Sequence, residues 1–203
     1  KNEINGVNTA LEAIRHYAGL KDGLFIKRHP ISEEEFLSTG TAERAKAVSR
    51  EIGEQLQTLT RLQSEENRLT ARQSSLLPWQ TMDMPLELSG TEHVLFRPGV
   101  MPAGVDGGQI QVSFGDLAAE LLEISSDKQQ KYCLLVCHRQ DEEAVMECLR
   151  PFSFSAVSFQ GLTGTADANL TSVSQALAEN RKGQEDAAAA IAANGEARDA
   201  LRV

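Results

Sequence analysis

The residues best suited to chemistry are three cysteines and four histidines. Cys133 and Cys137 lie four positions apart in an apolar run, and His138 directly follows the second cysteine. Side chains alternate between the two faces of a strand, so the thiols would share one face while His138 points to the other. The other three histidines are scattered over unrelated segments. The sequence therefore predicts no catalytic group and no metal site, and we expect reduced cysteines in a core.

Two further segments have the composition of a binding site. Residues 104–108 (Gly-Val-Asp-Gly-Gly) are glycine-rich, like a phosphate-binding loop. They lack the lysine of such a loop and do not connect a strand directly to a strong helix, so we interpret them as a flexible loop. Trp79 follows Pro78 directly. It could anchor a protein partner, or it could pack a junction between a helix and a compact domain, which is the interpretation we favour.

Composition excludes several classes of partner. The net charge of −9 disfavours direct binding to nucleic acid or to an anionic membrane. No apolar run reaches the ~18 residues that span a bilayer. Aromatic residues make up only 5% of the chain, so we do not expect one large core. The chain begins and ends inside helical patterns, and we interpret it as a fragment of a longer protein.

These candidate residues must be positioned by a framework that one long helix dominates. Ser32 and Glu35 form a capping box at its predicted start, and Pro78 follows its predicted end, so we place it at residues 32–77. Its seam advances by alternating steps of three and four residues. The seam consists of Ala45, Val48, Ile52, Gln55, Leu59, Leu62, Glu66, Leu69, Gln73 and Leu76. The three polar members lower stability but can fix the register of a partner helix.

Two more helical segments complete a predicted arm. An amphipathic helix at residues 2–19 and a connection at 20–31 precede the long helix, so residues 1–77 form the outgoing part. The pattern returns at residues 165–203, where Thr165 or Asp167 can cap the helix. Two long helices that enter and leave one compact lobe must run antiparallel. We therefore predict a coiled-coil-like antiparallel arm with the lobe at its tip.

The lobe itself is predicted at residues 78–164. Strands are expected at 92–97, 117–125, 131–138 and 156–159, with the first stopped by Pro98 and Gly99 and the third central. A helix at 142–149 follows Asp141 as N-cap, and a short helix is placed near 113–119. The order β-α-β-β-α-β is that of a ferredoxin-like lobe. The predicted fold class is therefore α+β.

A series of short motifs resembles a known family. Residues 76–83 (Leu-Leu-Pro-Trp-Gln-Thr-Met-Asp) are followed by Pro85-Leu86 and by Thr91, which leads a strand into Gly99-Val-Met-Pro102. Phe154-Ser-Ala-Val157, Gly161-Leu-Thr-Gly-Thr165 and a return helix come later in the same order. The connection containing Gly23, Leu24 and Pro30 is also similar. This order resembles the cytosolic N-terminal region of the V-type ATPase subunit called I in bacteria and archaea and a in eukaryotes. The departure lies at residues 103–116, where that family has an amphipathic helix.

The resemblance implies a mechanical function. In that family a paired-helix arm links a membrane-proximal lobe to a distal lobe, and the distal lobe binds the peripheral stalk, a heterodimer of subunits E and G. The ion channel belongs to the membrane domain of the same parent chain. The resemblance thus implies a non-catalytic stator element at the cytoplasmic face of a membrane. Together with the net charge and the spacing of the cysteines and histidines, it leads us to expect no cofactor, no metal, no nucleic acid and no small-molecule substrate.

The predicted lobe suggests where a partner would bind. A ferredoxin-like sheet carries both helices on one face and leaves the other open. We predict that Val94 and Phe96 face the helices and that His93, Leu95 and Arg97 face outwards. With Trp79, the outward residues are the candidate partner-binding set.

Two other classes of function stay open at this stage. The first is a stand-alone coiled-coil adaptor with a small interaction lobe, which a parent chain continuing into membrane helices would exclude. The second is a small-molecule sensor, because lobes of this topology often bind metabolites and residues 104–108 are glycine-rich. A thermal-shift screen without a hit would leave the sensor hypothesis unsupported.

Overall fold

A computed structural model describes residues 2–19, 39–197 and 201 of the chain. In chain order its elements are helices α1 (Asn2–Tyr17) and α2 (Thr39–Leu76), strand β1 (Val94–Pro102), helix α3 (Gly107–Phe114), strands β2 (Ala119–Ser126) and β3 (Gln130–His138), helix α4 (Glu142–Leu149), strand β4 (Ser155–Ala156) and helix α5 (Ala166–Ala193). Long helices and a four-stranded antiparallel sheet make this an α+β fold, as predicted. None of the described helices is both long enough and apolar enough to cross a membrane.

The chain divides into two compact units. The helical unit comprises Lys1–Leu69 and Ala176–Val203, and the sheet unit comprises Thr70–Gln175. The domain limits expected from the sequence, after residues 77 and 164, stay predictions. The capping box at Ser32 and the connection at 20–31 lie outside the described residues.

The helical unit is held together by the predicted seams. All ten seam residues predicted on the long helix are buried or half-buried in α2. Within this unit α2 packs against α5, because Leu62 is near Asn180 and Gly183, and Glu66, one turn later, meets Arg181. The buried core contains residues from α1, α2 and α5 and from the chain after α5. They are Ala10, Ala13, Ile14, Ile52, Leu59, Ala187, Ile191 and Leu201.

The sheet unit has the strand order β2-β3-β1-β4, and all neighbours are antiparallel. As predicted, β3 is central and apolar. Helices α3 and α4 cover one face, where Ile110 and Phe114 from α3 and Val145 and Leu149 from α4 pack on Leu135 and its neighbours. Burial of large aliphatic and aromatic side chains of this kind contributes about 1.5–3 kcal/mol each and fixes the helices to the sheet.

The predicted end of the first strand at Pro98 and Gly99 is wrong, because β1 continues to Pro102. Phe96 donates its backbone N–H to Ser89 O, on the side of β1 away from β3. Backbone groups alternate along a strand, so the N–H that Pro98 lacks would also point away from β3. Proline is tolerated there because no bond of the β1–β3 ladder is lost, and its carbonyl still accepts from Val157 N–H at 2.8 Å.

The helix between the first two strands was predicted near 113–119 but lies at Gly107–Phe114. Asp106 starts it, since its side chain accepts from Gly108 N–H at 2.9 Å. Gly115 ends it with a φ of 56°, in the left-handed region that glycine adopts without strain. The glycines that argued against a helix therefore stand at or near its two ends, and of the loop predicted at residues 104–108 the last two residues belong to the helix, while 104–106 precede it.

Of three smaller predicted features, one boundary differs and two helix caps are found where they were expected. The fourth strand is only Ser155–Ala156, paired with β1, rather than residues 156–159. Asp141 precedes α4 as predicted, but its side chain makes no capping hydrogen bond. At α5 the predicted cap is confirmed, because Thr165 Oγ1 accepts from Ala168 N–H at 3.2 Å.

Candidate docking surface

The predicted orientation of β1 is inverted. Leu95 is only 4% exposed and belongs to the core under α3 and α4, so the prediction that it faces outwards is wrong. Phe96 packs in the cluster on the opposite sheet face. The cause is the pairing with β3, because Leu95 lies opposite Cys137, which also faces the helices. Alternation is preserved, but the face that carries the helices is the other one.

The sheet face opposite the helices is covered within the sheet unit, so the prediction of an open face is also wrong. Trp79 is 2% exposed and lies at the centre of this cover. Its ring makes edge-to-face contacts with Tyr132 at 5.6 Å and with Phe159 at 5.3 Å. The cover also contains Leu76, Met82, Leu86, Ala166 and Leu170. Trp79 is thus a packing residue of the sheet unit, which leaves little of its side chain for a partner.

Of the candidate set, Arg97 and His93 keep polar atoms near the surface. Arg97 Nη2 pairs with Glu142 Oε1 at 2.5 Å, and both side chains are about one third exposed, at 34% and 33%. His93 is exposed, and its ring is parallel to that of His138, 6.4 Å away between centroids. Beside them, Arg139 Nη2 donates to Thr91 O at 2.9 Å. This corner, at the start of β1 and the end of β3, therefore places an exposed histidine near two arginines, one of which is paired with Glu142.

A groove of about 490 Å³ runs along the outer edge of β1. Residues 86–89 and 156–162 form its walls, and residues 95–98 line its base. One wall is anchored by Glu87, whose carboxylate accepts from Gly164 N–H at 2.8 Å. The groove therefore places a concave surface beside Arg97.

The cysteines occupy the positions predicted for core thiols. Cys133 and Cys137 are buried on the helix face, and Cys148 is half-buried in α4. Burial raises the pKa of Cys133 to about 11 and also raises that of Cys137. Thiols with raised pKa values are poor nucleophiles. Within the described residues, no group of three or more His, Cys, Asp or Glu side chains could hold a metal ion.

The helical unit contains a polar layer that sequence reasoning only partly anticipated. Asn180, 6% exposed, donates to Leu62 O at 3.0 Å and accepts from Gln184 Nε2 at 2.8 Å. Gln184 Nε2 also donates to Glu66 Oε2 at 2.7 Å, and Arg181 Nε donates to Glu66 Oε1 at 3.1 Å. The bonds from Gln184 and then Arg181 hold the pKa of Glu66 below its usual range.

The sequence carried a signal for Asn180 that we did not use. It lies three residues after Leu177 and four before Gln184, so the same spacing that gave the seam includes it. A polar residue at a seam position is the kind that specifies register between paired helices.

The chain was compared with protein families, curated proteins and solved structures. No protein-family model and no curated protein matches the chain. Among solved structures, the chain is similar to the crystal structure of the cytoplasmic N-terminal domain of subunit I, homolog of subunit a, of V-ATPase. The TM-score is 0.47 with 16% sequence identity, and the match covers 98% of this chain and 67% of that chain. At this identity no residue role passes from that domain to this chain.

Proposed function

We propose that this chain is a non-catalytic stator element of a rotary V-type ATPase, the cytosolic part of the membrane subunit called I or a. Its distal lobe docks the peripheral-stalk E/G heterodimer at the cytoplasmic face of the membrane. In that position it resists torque while ATP hydrolysis or synthesis is coupled to ion transport. The ordered motifs between Leu76 and Thr165 support the family assignment. The observation that carries the mechanical role is the register-fixed helix pair of the helical unit.

The helix pair suits a load-bearing element. Helices resist stretching because their backbone hydrogen bonds lie along the axis. Sliding one helix past the other by a turn would break the contacts of Asn180 with Leu62 and of Glu66 with Arg181 and Gln184. It would also leave a buried amide and a carboxylate without partners, which costs free energy. The polar layer therefore opposes the shear that torque produces.

We further propose that residues 78–164 form a ferredoxin-like distal lobe between arm segments 1–77 and 165–203. The strand order β4-β1-β3-β2, with one helix after β1 and another after β3, supports this topology. The coiled-coil character of the arm is part of the same proposal. It is supported by the seam of α2, which alternates steps of three and four residues.

The four candidate partner-binding residues, His93, Leu95, Arg97 and Trp79, remain part of the proposed docking surface, but only two of them contact the partner directly. His93 and Arg97 make the contact with the stalk, beside the groove along β1. Leu95 and Trp79 act from within the two cores that support β1 on its two faces. An acidic segment of the stalk would fit this corner, since Arg97 and Arg139 lie there and, among the described residues, Arg139 has no carboxylate partner.

Calorimetry with the cognate E/G heterodimer tests this function. We expect saturable one-to-one binding that weakens when His93 and Arg97 are replaced together by alanine. Lys128→Ala, which removes a positive charge from the hairpin turn of the same unit, is the matched control and should bind normally. Absence of binding at about 500 μM, where even contacts of roughly 4–5 kcal/mol are detected, would contradict direct docking.

A further inference from the structure

The outer edge of β2 is unpaired at its centre. His138 donates its backbone N–H to Ala118 O, so residues 118, 120 and 122 direct their backbone groups towards β3. The N–H and C=O groups of Leu121 and Glu123 therefore point away from the sheet. Within the described part of the chain these four groups have no backbone partner, because β2 is the last strand of the sheet. An exposed row of this kind is a template for another strand.

Side chains close both ends of this free edge and leave the centre open. At one end Gln111 Nε2 approaches Ala119 O at 3.4 Å. At the other, Thr81 Oγ1 donates to Ile124 O at 3.2 Å, where a bulge interrupts the pairing after Glu123. The opposite edge of the sheet differs, because β4 and the segment around Ser89 already pair with β1. An added strand thus has a defined place and length, centred on residues 121–123.

Exposed apolar side chains surround the same edge. The described residues contain four exposed large hydrophobic side chains, and three of them lie here. Leu122 is on β2 itself and is 40% exposed, while Leu77 is 59% and Val112 is 81% exposed. Leu77 precedes Pro78, whose carbonyl accepts from Ser125 Oγ at 2.6 Å, and Val112 follows Gln111. Clustering of exposed apolar groups marks an interaction site more strongly than isolated ones do.

The charge around the edge is negative. Glu120 and Glu123 lie on β2, and Asp116 and Asp127 lie just before and just after it. Two lysines are close in sequence, and Lys131 is already paired with Glu123 at 3.0 Å. That pairing lowers the pKa of Glu123, so it is ionised at neutral pH. A partner strand that carries basic side chains therefore meets complementary charge.

We propose that the free edge of β2 binds an extended segment of a protein partner with alternating apolar and basic residues. Leu121 and Glu123 supply backbone hydrogen bonds, as in other cases of strand addition. Apolar residues of the segment cover Leu122 and Leu77, and a basic residue on the other face lies opposite Glu123. This site lies at the opposite edge of the sheet from the proposed docking corner and does not depend on the proposed function.

A second copy of the chain is a poorer occupant. The antiparallel register that satisfies Leu121 and Glu123 in both copies pairs each Leu121 with the other copy's Glu123. The two Glu123 carboxylates then become diagonal neighbours on one sheet face, within about 8 Å, which disfavours pairing. Glutamates on an edge strand are also a common barrier to self-association.

The test uses the full 203-residue chain, labelled with ¹⁵N, and a capped hexapeptide of alternating lysine and valine. We expect saturable shifts that centre on the amides of Leu121 and Glu123, with slower hydrogen exchange at both. Glu123→Lys should weaken binding about fivefold, because the attractive cross-strand pair with a lysine of the peptide becomes repulsive. Glu143→Lys, at an exposed position of α4, is the matched control and should leave affinity unchanged.

Two peptide controls decide whether strand addition is the mode of binding. A hexapeptide of alternating glutamate and valine should not bind, and an N-methylated lysine–valine peptide should lose binding because it cannot donate to the edge. Equal binding of the N-methylated peptide would overturn the proposal. Shifts that depend on protein concentration without peptide would overturn it in favour of a second copy. The absence of shifts at about 2 mM peptide, where even weak association of about 4 kcal/mol is visible, would overturn it outright.

Discussion

Replacing Gly99 by alanine tests how the sheet unit accommodates the Phe154 ring. Gly99 lies in the middle of β1, opposite Cys133 on β3 and Ala156 on β4. A Cβ atom added there would overlap the Cζ, Cε1 and Cε2 atoms of Phe154. The ring, half-buried against the core under α3 and α4, thus occupies the space that a side chain on Gly99 would need.

The expected cost follows from two opposing terms. Displacing a packed ring costs about 1–3 kcal/mol. Alanine restricts the unfolded chain and suits a strand better than glycine, which restores about 0.5–1 kcal/mol. We therefore expect Gly99→Ala to lower the free energy of unfolding by about 1–2 kcal/mol. In a Phe154→Ala background the overlap is absent, so the same change should be neutral or slightly stabilising, with a coupling energy of about 2 kcal/mol.

Urea unfolding followed by Trp79 fluorescence measures this coupling. Trp79 is the single tryptophan of the chain and is buried on the sheet face opposite Phe154, so it reports the sheet unit without touching the mutated site. The four proteins of the cycle are compared with Gly104→Ala, where an added Cβ meets nothing within 4 Å. That control should change stability by less than about 0.5 kcal/mol. Equal effects of Gly99→Ala in both Phe154 backgrounds would refute the steric explanation.

Three further predictions follow from the described contacts. Asn180→Ala should lower the free energy of unfolding of the helical unit by about 1–3 kcal/mol, because two buried hydrogen bonds are lost, and circular dichroism during urea unfolding will show it. The backbone N–H groups of the hairpin turn lower the pKa of Asp127. The ionised carboxylate therefore stabilises the folded protein fully above its unfolded-state pKa of about 4, and this stabilisation is lost as the pH falls through the lower pKa of the folded state. Asp127→Asn should therefore flatten the dependence of the urea midpoint on pH in that range, and an unchanged slope would contradict the assignment. Finally, a thiol reagent should modify Cys148 in the folded protein but Cys133 and Cys137 only on unfolding, which peptide mass spectrometry resolves.

Helix periodicity was the most reliable information in the sequence. The seam from Ala45 to Leu76 and the helix at 142–149 were predicted correctly because side chains three and four residues apart share a face in any helix. A second local rule, the alternation of side chains along a strand, showed that Cys133 and Cys137 share a strand face. Such statements need no knowledge of distant residues.

Local rules failed where a distant strand decides the outcome. Pro98 and Gly99 look like a strand end, but β1 passes through them because β3 pairs on the side that Pro98 leaves intact and Phe154 fills the space above Gly99. Likewise, Asp106 turns an apparent glycine loop into a helix start by accepting a hydrogen bond from Gly108.

The sequence by itself determined the α+β class, the helix seams and which residues of each strand share a face. Only the tertiary structure decided which face of β1 meets α3 and α4, because both of its faces are apolar and alternation is symmetric between them. It also decided that Trp79 and its neighbours cover the other face and that the centre of β2 stays unpaired. These outcomes depend on free energies of burial summed over residues far apart in the chain, which no local pattern encodes.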